Sequence, residues 1–484
     1  MRTMFDPDIT WGYDNAPSAH TNDRVIPCPR GKVLGGSSSI NGHAYVRGQA
    51  LDYEDWVALG ATGWGWQDVL PYFKRAETRT GGDPSVRGTD GPLHVQNPPM
   101  HHPLTDAFFA SMVALGQPRN PDYNSGDQEG CGDFQQMVKG GRRWSAADAY
   151  RRPAMHRTNL LVRTHAHATR IVFEGSKAIG VEYRAGNETR IARSGREVVL
   201  AGGAINSPQL LQLSGIGEPA LLQRLGIAVR HASSEVGANL ADHFAVRVAN
   251  RVKNAWTLNE RSHHPRLLVE ALKYFIARRG LLASAPSYAM GFVRTMPGAT
   301  RPDTQIFFTP ASSETGKIVG QAWLEREPGM TCGTYQTRPF SRGHVRITSS
   351  DPFAAPQIQP NFLADARDGD NAVAALKFLR KLFSAPALAR FVQAETWPGP
   401  QMQRDAALLD FARRTGTTVY HPVGTCRMGS DATAPVDPQL RVNGIQSLRL
   451  IDASVIPQMV SGNTYAATIM IAERGADLLL STAE

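Results

Sequence analysis

"REVVLAGGAINSPQLLQL", residues 196 to 213, contains an apolar strand that runs into two glycines and then into a helix. A short apolar run of this kind is typical of a buried parallel strand. Gly202 and Gly203 allow a ligand to approach the backbone closely where that strand ends. Ser207 and Pro208 predict that the helix begins there, with proline in its first turn. Because helix N-termini attract anionic ligand atoms, the stretch predicts an α/β fold with a ligand at this strand end.

Two kinds of sequence pattern alternate along the rest of the chain. Strand-like sequence extends upstream to about residue 159, and a strand, "SLRLIDAS", followed by a helix returns near the C-terminus. Between about residues 245 and 345, polar and β-branched runs surround one clear helix, "PRLLVEALKYFIARRG". This middle region predicts a separate antiparallel sheet flanked by helices. Because the α/β pattern is interrupted by this antiparallel pattern and then returns, we predict a discontinuous domain that carries a second, inserted domain.

The bulk composition is that of a globular protein. The chain has 484 residues, of which 42% are hydrophobic and 20% charged, and its formal net charge is +9. A basic balance can serve nucleic-acid binding, but here the lysines and arginines are scattered and form no long run. The composition therefore favours a mildly basic surface and no nucleic-acid partner.

The cysteines and the N-terminal residues bear on compartment and metal binding. The four cysteines are far apart and show no metal-finger spacing, which predicts reduced thiols and no metal site. Asp6, Pro7 and Asp8 stand where a signal peptide needs an apolar core, and no run reaches the roughly 18 apolar residues of a membrane span. We expect a cytoplasmic protein without a membrane span.

A glycine- and serine-rich stretch, "GGSSSIN" at residues 35 to 41, is the first candidate ligand loop. Gly35 and Gly36 permit backbone conformations and close approaches that other residues do not. The three serines and Asn41 add hydroxyl and amide groups. The same composition is also favoured in plain surface turns, so the residues alone leave both interpretations open.

A histidine on a constrained loop is the second candidate. His421 lies in "TTVYHPVGTCRMG", where Pro422 pushes its backbone toward an extended conformation. Nearby glycines keep the segment loop-like. A lone histidine can equally be structural.

The C-terminal strand and helix form the third candidate. The strand ends at Asp452, and Asn463 or Thr464 is predicted to cap the following helix. The positive end of that helix would then lie beside Asn463, where it could stabilise negative charge. A merely capped helix is the alternative.

Together, these stretches resemble the glucose–methanol–choline (GMC) oxidoreductases, which are flavin-dependent alcohol oxidases and dehydrogenases. "RGKVLGGSSSINGHAYVRG" is similar to the first family signature and "GAINSPQLLQLSGIG" to the second. "YHPVGTCRMG", "DASVIP" and "GNTYAATIMIAERGADLL" resemble the C-terminal catalytic region. "GRRWSAADAY", "VGANLADH" and "SRGHVRITSSDP" add matches between them, and the choline-dehydrogenase-like branch is the most similar.

The resemblance implies the fold and its division. It predicts an α/β protein, α+β overall, with a Rossmann-like FAD-binding domain and an inserted antiparallel-sheet domain. Residues 1–62, 150–245 and 415–484 would bind FAD, and residues 63–149 and 246–414 would form the substrate-binding domain.

The resemblance also implies site residues. His421 matches the catalytic histidine and Asn463 the second catalytic position, which is His or Asn in the family. The residues that match flavin contacts are Gly35, Gly36, Ser37, Ser38, Asn41, Gly42, His43, Ala44, Ala168, Asp452, Ala453, Asn463 and Thr464. Some relatives attach flavin through a histidine just before the signature asparagine. Ile40 holds that position here, and His43 does not match it, so we expect non-covalent FAD.

One departure concerns the N-terminal region. A family member should begin with a strand, a G-x-G-x-x-G turn and a helix, which need roughly 30 residues or more. Only 29 residues precede Arg30, and "GIGEPA" follows a helix and not a strand. We therefore expect the family's first βαβ unit to be absent, with loss of the helix N-terminus that binds the diphosphate.

The expected reaction is oxidation of an alcohol to an aldehyde or ketone. A histidine suits removal of the hydroxyl proton, and the flavin takes the hydride because no side chain can. The Asn463 amide would orient the alkoxide oxygen. Oxygen or a separate electron carrier would reoxidise the flavin, and choline, aryl, aliphatic and polyol substrates all remain open.

Two alternatives were weighed. A truncated chain without cofactor, retained as an inactive or interaction protein, would follow if the diphosphate site is missing. A serine hydrolase is disfavoured because the chain has no G-x-S-x-G turn.

Overall fold

The computed structural model describes residues 2–263, 265–314 and 324–481. The helices are α1 (Ala50–Ala58), α2 (Trp66–Ala76), α3 (Pro103–Ala114), α4 (Arg152–Ala154), α5 (Gly203–Leu213), α6 (Pro219–Arg224), α7 (Leu258–Arg261), α8 (Arg266–Ala277), α9 (Ala366–Ser384), α10 (Pro386–Ala389), α11 (Asp405–Thr415) and α12 (Tyr465–Ser481). None of them, in the part of the chain just given, is long and apolar enough to cross a membrane.

The strands are β1 (Asp14–Asn15), β2 (Ile26–Pro27), β3 (Glu77–Arg79), β4 (Leu93–Gln96), β5 (Gly130–Asp133), β6 (Gln136–Lys139), β7 (Arg142–Arg143), β8 (Ala166–Glu174), β9 (Lys177–Ala185), β10 (Glu188–Arg193), β11 (Val198–Leu200), β12 (Ile216–Gly217), β13 (His231–Ala232), β14 (Phe244–Val252), β15 (Ala289–Val293), β16 (Thr304–Thr309), β17 (Gly329–Gln336), β18 (His344–Arg346), β19 (Gln357–Gln359), β20 (Val392–Trp397), β21 (Thr417–Thr418) and β22 (Leu448–Leu450).

A seven-stranded antiparallel sheet forms the middle of the molecule. Its order is β20-β14-β17-β16-β15-β5, and β21 pairs with the start of β14. The register sets Tyr335 of β17 opposite both Ala245 of β14 and Gln305 of β16. One buried cluster joins apolar residues of these strands to those of α3, α9 and α11. The predicted antiparallel sheet flanked by helices is therefore confirmed.

A parallel pair of strands lies in the other part of the fold. β11 pairs in parallel with β22, with Val198 opposite Leu448. A second buried cluster surrounds this pair and includes apolar residues of α2, α5 and α12. The mixed α/β class predicted from the sequence is confirmed, while the numbered boundaries between the two domains stay a prediction.

The helix that follows β11 begins earlier than its sequence predicts. α5 starts at Gly203, whose φ is +79°, and Pro208 lies inside it. The Asp452 carboxylate accepts hydrogen bonds from the Gly203 N–H at 2.9 Å and the Ser207 hydroxyl at 2.6 Å. This carboxylate comes from a segment far along the chain, so the prediction of a start at Ser207 is wrong for a tertiary reason.

The proline inside α5 is accommodated by another distant side chain. Pro208 lacks the N–H that would bond the Ala204 carbonyl. The Thr425 hydroxyl donates to that carbonyl at 2.6 Å instead. The loop that carries His421 is thereby joined to the helix that follows β11.

Candidate active site

A cavity of about 910 Å³ lies between the parallel pair and the antiparallel sheet. This volume falls in the range of cofactor and substrate sites. Most of the candidate residues line it: Gly35, Gly36, Ser37, Ser38, Asn41, Gly42, Ala44, His421, Asp452, Ala453, Asn463 and Thr464. The fold therefore brings together three stretches that are distant in sequence.

Two candidates are not part of the cavity wall. Ala168 lies on β8 and is exposed. His43 has a φ of +66°, and its N–H donates to the Asn41 side chain at 3.1 Å. Burial, with a smaller effect of Arg143, lowers the pKa of His43 to about 3, so this ring is neutral. The structure gives neither residue a direct place at the cavity.

The glycine–serine loop is held by its own hydrogen bonds and by those of Arg143, a residue distant in sequence. Gly35 has a φ of +89° and precedes a tight turn, Gly36–Ser39, in which the Ser38 hydroxyl donates to the Gly35 carbonyl at 2.6 Å. Arg143 donates to the Ser38 carbonyl at 3.1 Å and to Asn41 at 2.8 Å. The hydroxyl and amide groups predicted to contact a ligand therefore also hold the loop in shape.

A close approach within this loop occurs at a glycine that the sequence analysis did not single out. A Cβ on Gly31 would lie 2.4 Å from the Gly36 carbonyl oxygen and 2.8 Å from the Ser37 nitrogen. Only a residue without a side chain lets the backbone at residue 31 lie this close to the backbone at residues 36 and 37. Gly31 therefore sets the shape of the cavity wall.

Asp452 has a structural task as well as a place on the wall. One of its oxygens caps α5, and the other accepts from the Ser454 N–H at 2.8 Å. Its carboxylate is thus largely used within the protein.

His421 and Asn463 meet on the opposite wall. The Nδ2 atom of Asn463 lies 3.1 Å from Nε2 of His421, although the two residues are 42 positions apart. Asn463 also accepts from Gln305 at 3.2 Å, so both polar atoms of its amide have side-chain partners.

A second histidine lies behind the first. The Nδ1 atom of His243 is 3.0 Å from Nδ1 of His421, and its Nε2 is 2.8 Å from the Thr337 carbonyl oxygen. A carbonyl only accepts, so Nε2 of neutral His243 carries the proton and its Nδ1 is an acceptor. His421 must then donate from Nδ1, which leaves its Nε2 unprotonated at the cavity, where it can accept a hydrogen bond.

The hydrogen bonds that reach His421 through Asn463 give the same proton assignment for His421. The Tyr335 hydroxyl donates to Oε1 of Gln305 at 2.6 Å, which turns the Gln305 Nε2 toward Oδ1 of Asn463. The Asn463 Nδ2 then faces His421 and donates to its Nε2. The two series of hydrogen bonds therefore place the basic Nε2 of His421 and the Nδ2 donor of Asn463 side by side on the cavity wall.

Burial determines the charge of both rings. Burial, with smaller effects of His243 and Arg30, holds the pKa of His421 well below its usual range. Burial likewise lowers the pKa of His243 to about 4. Both histidines are therefore neutral near pH 7, as the proton assignment requires.

Asp242 positions the loop of His421. Its carboxylate accepts from the His421 N–H at 2.8 Å and from the Thr418 hydroxyl at 2.5 Å. Burial raises the pKa of Asp242 to about 6, against the lowering effect of these hydrogen bonds.

The residues that the sequence analysis missed belong to three different segments. Asp242 and His243 end the quoted stretch "VGANLADH", so the sequence contained a signal for them. Gln305 and Tyr335 lie in ordinary-looking strands, and no local pattern marks them.

The charges on the wall suit an anionic ligand. Arg30, Lys32 and Arg247 line the cavity, and Asp452 is the one acidic residue among the described lining residues. A cofactor with a diphosphate, such as FAD, fits this balance and the glycine-rich wall. Over the ranges given above, no group of three or more His, Cys, Asp or Glu residues could hold a metal ion.

Comparison with known proteins agrees with this chemistry. Two family models described as GMC oxidoreductase match residues 13–245 and 339–472. Because the first match starts at residue 13, it does not support the expectation that the family's N-terminal dinucleotide-binding unit is missing, and the truncated, inactive alternative is not favoured.

Relatives match nearly the whole chain. Alcohol dehydrogenase (acceptor) of Pseudomonas putida is 39% identical over 98% of this chain and 86% of its own. Mitochondrial choline dehydrogenase of Homo sapiens is 40% identical over 99% of this chain and 80% of its own. An FAD-dependent oxidoreductase from Chaetomium thermophilum superposes with a TM-score of 0.90 at 25% identity, over 99% of this chain and 91% of that chain. The chain therefore belongs to the GMC oxidoreductase family, whose members are oxidoreductases of alcohol or choline donors, and its cofactor is FAD.

Proposed function

We propose that this protein oxidises a primary or secondary alcohol to the aldehyde or ketone. The observation that carries the proposal is the unprotonated Nε2 of His421 beside the Nδ2 donor of Asn463 at the cavity wall, 3.1 Å apart. When bound, FAD supplies the hydride acceptor that no side chain can provide.

The residues of the chain would do the acid–base work. The hydroxyl of the substrate would bind between His421 and Asn463, with its proton directed to Nε2 and its oxygen held by the amide N–H. The proton would pass to Nε2, while the hydrogen bond from Nδ1 to His243 would hold the ring of His421 in the orientation that this transfer needs. A positioned base of this kind is typically worth about 10²–10⁴-fold in rate.

Three groups of residues would hold the non-covalent FAD. They are the glycine–serine loop with Gly31, the start of α5 at Gly202 and Gly203, and the segment of Asp452 and Ala453. Ile40 also lines the cavity and offers no atom for a covalent bond to flavin.

The wall favours an alcohol without a cationic group. A quaternary ammonium is held by carboxylates or aromatic faces in a dry site. Aromatic side chains do line the cavity here, and Tyr335 lies beside His421, but such faces suit an uncharged aryl or aliphatic group as well. The one acid among the described lining residues, Asp452, already accepts three hydrogen bonds and is not free to hold a cation. We therefore propose aliphatic or aryl alcohols ahead of choline. Oxygen and a separate electron carrier remain equal candidates for the final acceptor, and a cytoplasmic location stays a prediction.

The test is anaerobic reduction of the flavin. The purified chain is loaded with FAD, desalted and mixed with benzyl alcohol, 1-octanol or choline while the visible flavin absorbance is followed. We expect the two uncharged alcohols to bleach the flavin. Faster bleaching by choline would contradict the substrate class, and bleaching by none of several uncharged alcohols would contradict the function.

A further inference from the structure

Helix α8 presents its apolar face to solvent. Leu268, Val269, Leu272, Phe275 and Ile276 are between 52% and 81% exposed. Their spacing places them on one side of the helix. A contiguous apolar stripe of this kind, unlike scattered apolar residues, indicates an interaction site.

The orientation of α8 is determined by an acidic residue on its inner side. Glu270 is buried and accepts from Lys273 at 2.8 Å and from the Leu281 N–H at 3.1 Å. Arg261 lies 3.8 Å from the same carboxylate. Turning the helix to bury its apolar stripe would break these contacts and expose Glu270. The outward stripe is therefore a stable feature of the fold.

The charges around the stripe are positive. Arg266, Lys273, Arg278 and Arg279 lie on α8 or just after it, and Glu270 is the only acid between residues 266 and 279. The side chains of Arg266 and Lys273 are 65% and 49% exposed, although Arg266 lies 3.7 Å from Glu260 and Lys273 lies 2.8 Å from Glu270. Arg278 and Arg279 add two further cations, so cations outnumber acids around the stripe. Arg278 lies over the ring of Tyr274 at 4.8 Å, which keeps its charge beside the helix.

We propose that α8 is a peripheral docking helix for an anionic lipid surface. An apolar stripe bordered by cations is the composition of helices that lie in the plane of a membrane interface. Each Lys or Arg near an anionic leaflet adds to the attraction. A second copy of this chain would bring the same cations together, so the charges disfavour a homodimer through this face.

In sequence, α8 lies only a few residues before a segment that lines the cavity. The turn Leu281–Ala283 follows α8, and its Leu282 is exposed and apolar. Pro286 and Ser287 come next and line the cavity. The proposal does not depend on which alcohol is oxidised.

Vesicle flotation of the FAD-loaded full chain tests the proposal. Mixed phosphatidylcholine–phosphatidylglycerol vesicles are compared with pure phosphatidylcholine vesicles, at low and high salt. We expect binding to the anionic vesicles that weakens in high salt. The double variant F275S/I276S should bind at least about tenfold more weakly, because two exposed apolar side chains leave the interface. The double variant R266Q/R279Q should lose the preference for anionic lipid.

Matched controls lie elsewhere on the surface. Leu161 is 75% exposed and Arg196 is exposed, and both are far from α8 in the chain, so L161S and R196Q should bind like the parent. The proposal is overturned if the parent does not float with anionic vesicles, or if F275S/I276S floats equally well. It is also overturned if light scattering shows an oligomer that F275S/I276S dissolves, because the face then serves a second copy.

Discussion

The two walls of the cavity are built in different ways. The wall of residues 31 to 44 is made mostly of backbone, and its shape comes from close approaches such as that of Gly31 to the Gly36 carbonyl. The wall of His421 is made of side chains, and each ring nitrogen of His421 and His243 has a partner between 2.8 and 3.1 Å away. The first wall is defined by local sequence and the second by contacts between distant segments.

This difference separates binding from chemistry. A backbone wall offers shape and N–H groups, which suit a large cofactor. The side-chain wall fixes a tautomer, which suits a proton transfer. Substitutions in the two walls should therefore damage different steps, and the following experiments test that separation in order of decreasing effect.

The largest effect is expected at His421. His421→Ala should lower kcat by about 10³-fold because the base is removed, while FAD stays bound. Steady-state turnover and the flavin-to-protein absorbance ratio are the measurements. His156→Ala, an exposed histidine elsewhere, is the control. Turnover within a few-fold of the parent would show that His421 is not the base.

The backbone wall is tested at Gly31. Gly31→Ala should weaken FAD binding by up to about 100-fold, because the new methyl group overlaps backbone atoms and overpacking costs about 1–3 kcal/mol. Titration of the chain with FAD, followed by flavin fluorescence, gives the affinity. Gly195→Ala has nothing within 4 Å of the added Cβ and should bind like the parent. Equal affinities for both variants would remove the role assigned to this close approach.

The tautomer is tested at His243. His243→Ala leaves the buried Nδ1–H of His421 without its acceptor, which costs about 1–3 kcal/mol, so we expect about a tenfold lower kcat with little change in KM. His243→Asn should recover part of the loss, because its Oδ1 can accept that hydrogen bond.

The pH profile distinguishes positioning from plain stability in the same variant. Burial chiefly lowers the pKa of His421, and His243 lowers it further. Removing His243 should therefore raise that pKa and move the acid limb of kcat/KM to higher pH. If the acid limb of kcat/KM does not move and kcat falls equally in His243→Ala and His243→Asn, His243 has a structural role only.

The smallest effect on turnover is expected at Asp242, where the predicted change concerns stability. Burial raises its pKa to about 6 from 3.8, so the folded state holds this proton longer than the unfolded state does. The stability it contributes is present below pH 3.8 and is lost as the pH rises through about 6. Asp242→Asn lacks this loss, which amounts to about 3 kcal/mol.

Melting temperatures of Asp242→Asn and the parent, measured from pH 4 to 7, check the sign. The difference should move in favour of the variant as the pH rises and then level off. Asp365→Asn is the control, because the Arg367 guanidinium lowers the pKa of Asp365 and its titration lies below this window. A difference that shrinks as the pH rises would contradict the assignment for Asp242.

The sequence by itself determined the local features of this protein. The turn at residues 35 to 41 and the helices α8 and α12 follow from glycine content and apolar spacing within one segment. The outward orientation of the α8 stripe depends instead on the contacts of Glu270. The pair of His421 and Asn463 was accessible because family resemblance carried both positions, and their 3.1 Å contact agrees with that pairing.

The tertiary structure determined which distant residues form hydrogen bonds with one another. α5 begins at Gly203 because a carboxylate 249 positions away caps it, and local propensity contains no information on that carboxylate. His243 reaches His421 across 178 positions, and Gln305 reaches Asn463 across 158. A hydrogen bond depends on separations of a few ångströms in space, which only the packing of the sheet against the loops establishes. Local sequence therefore defines the turn of the glycine–serine loop, and long-range packing defines both its outer hydrogen bonds and the proton assignments of His421 and His243.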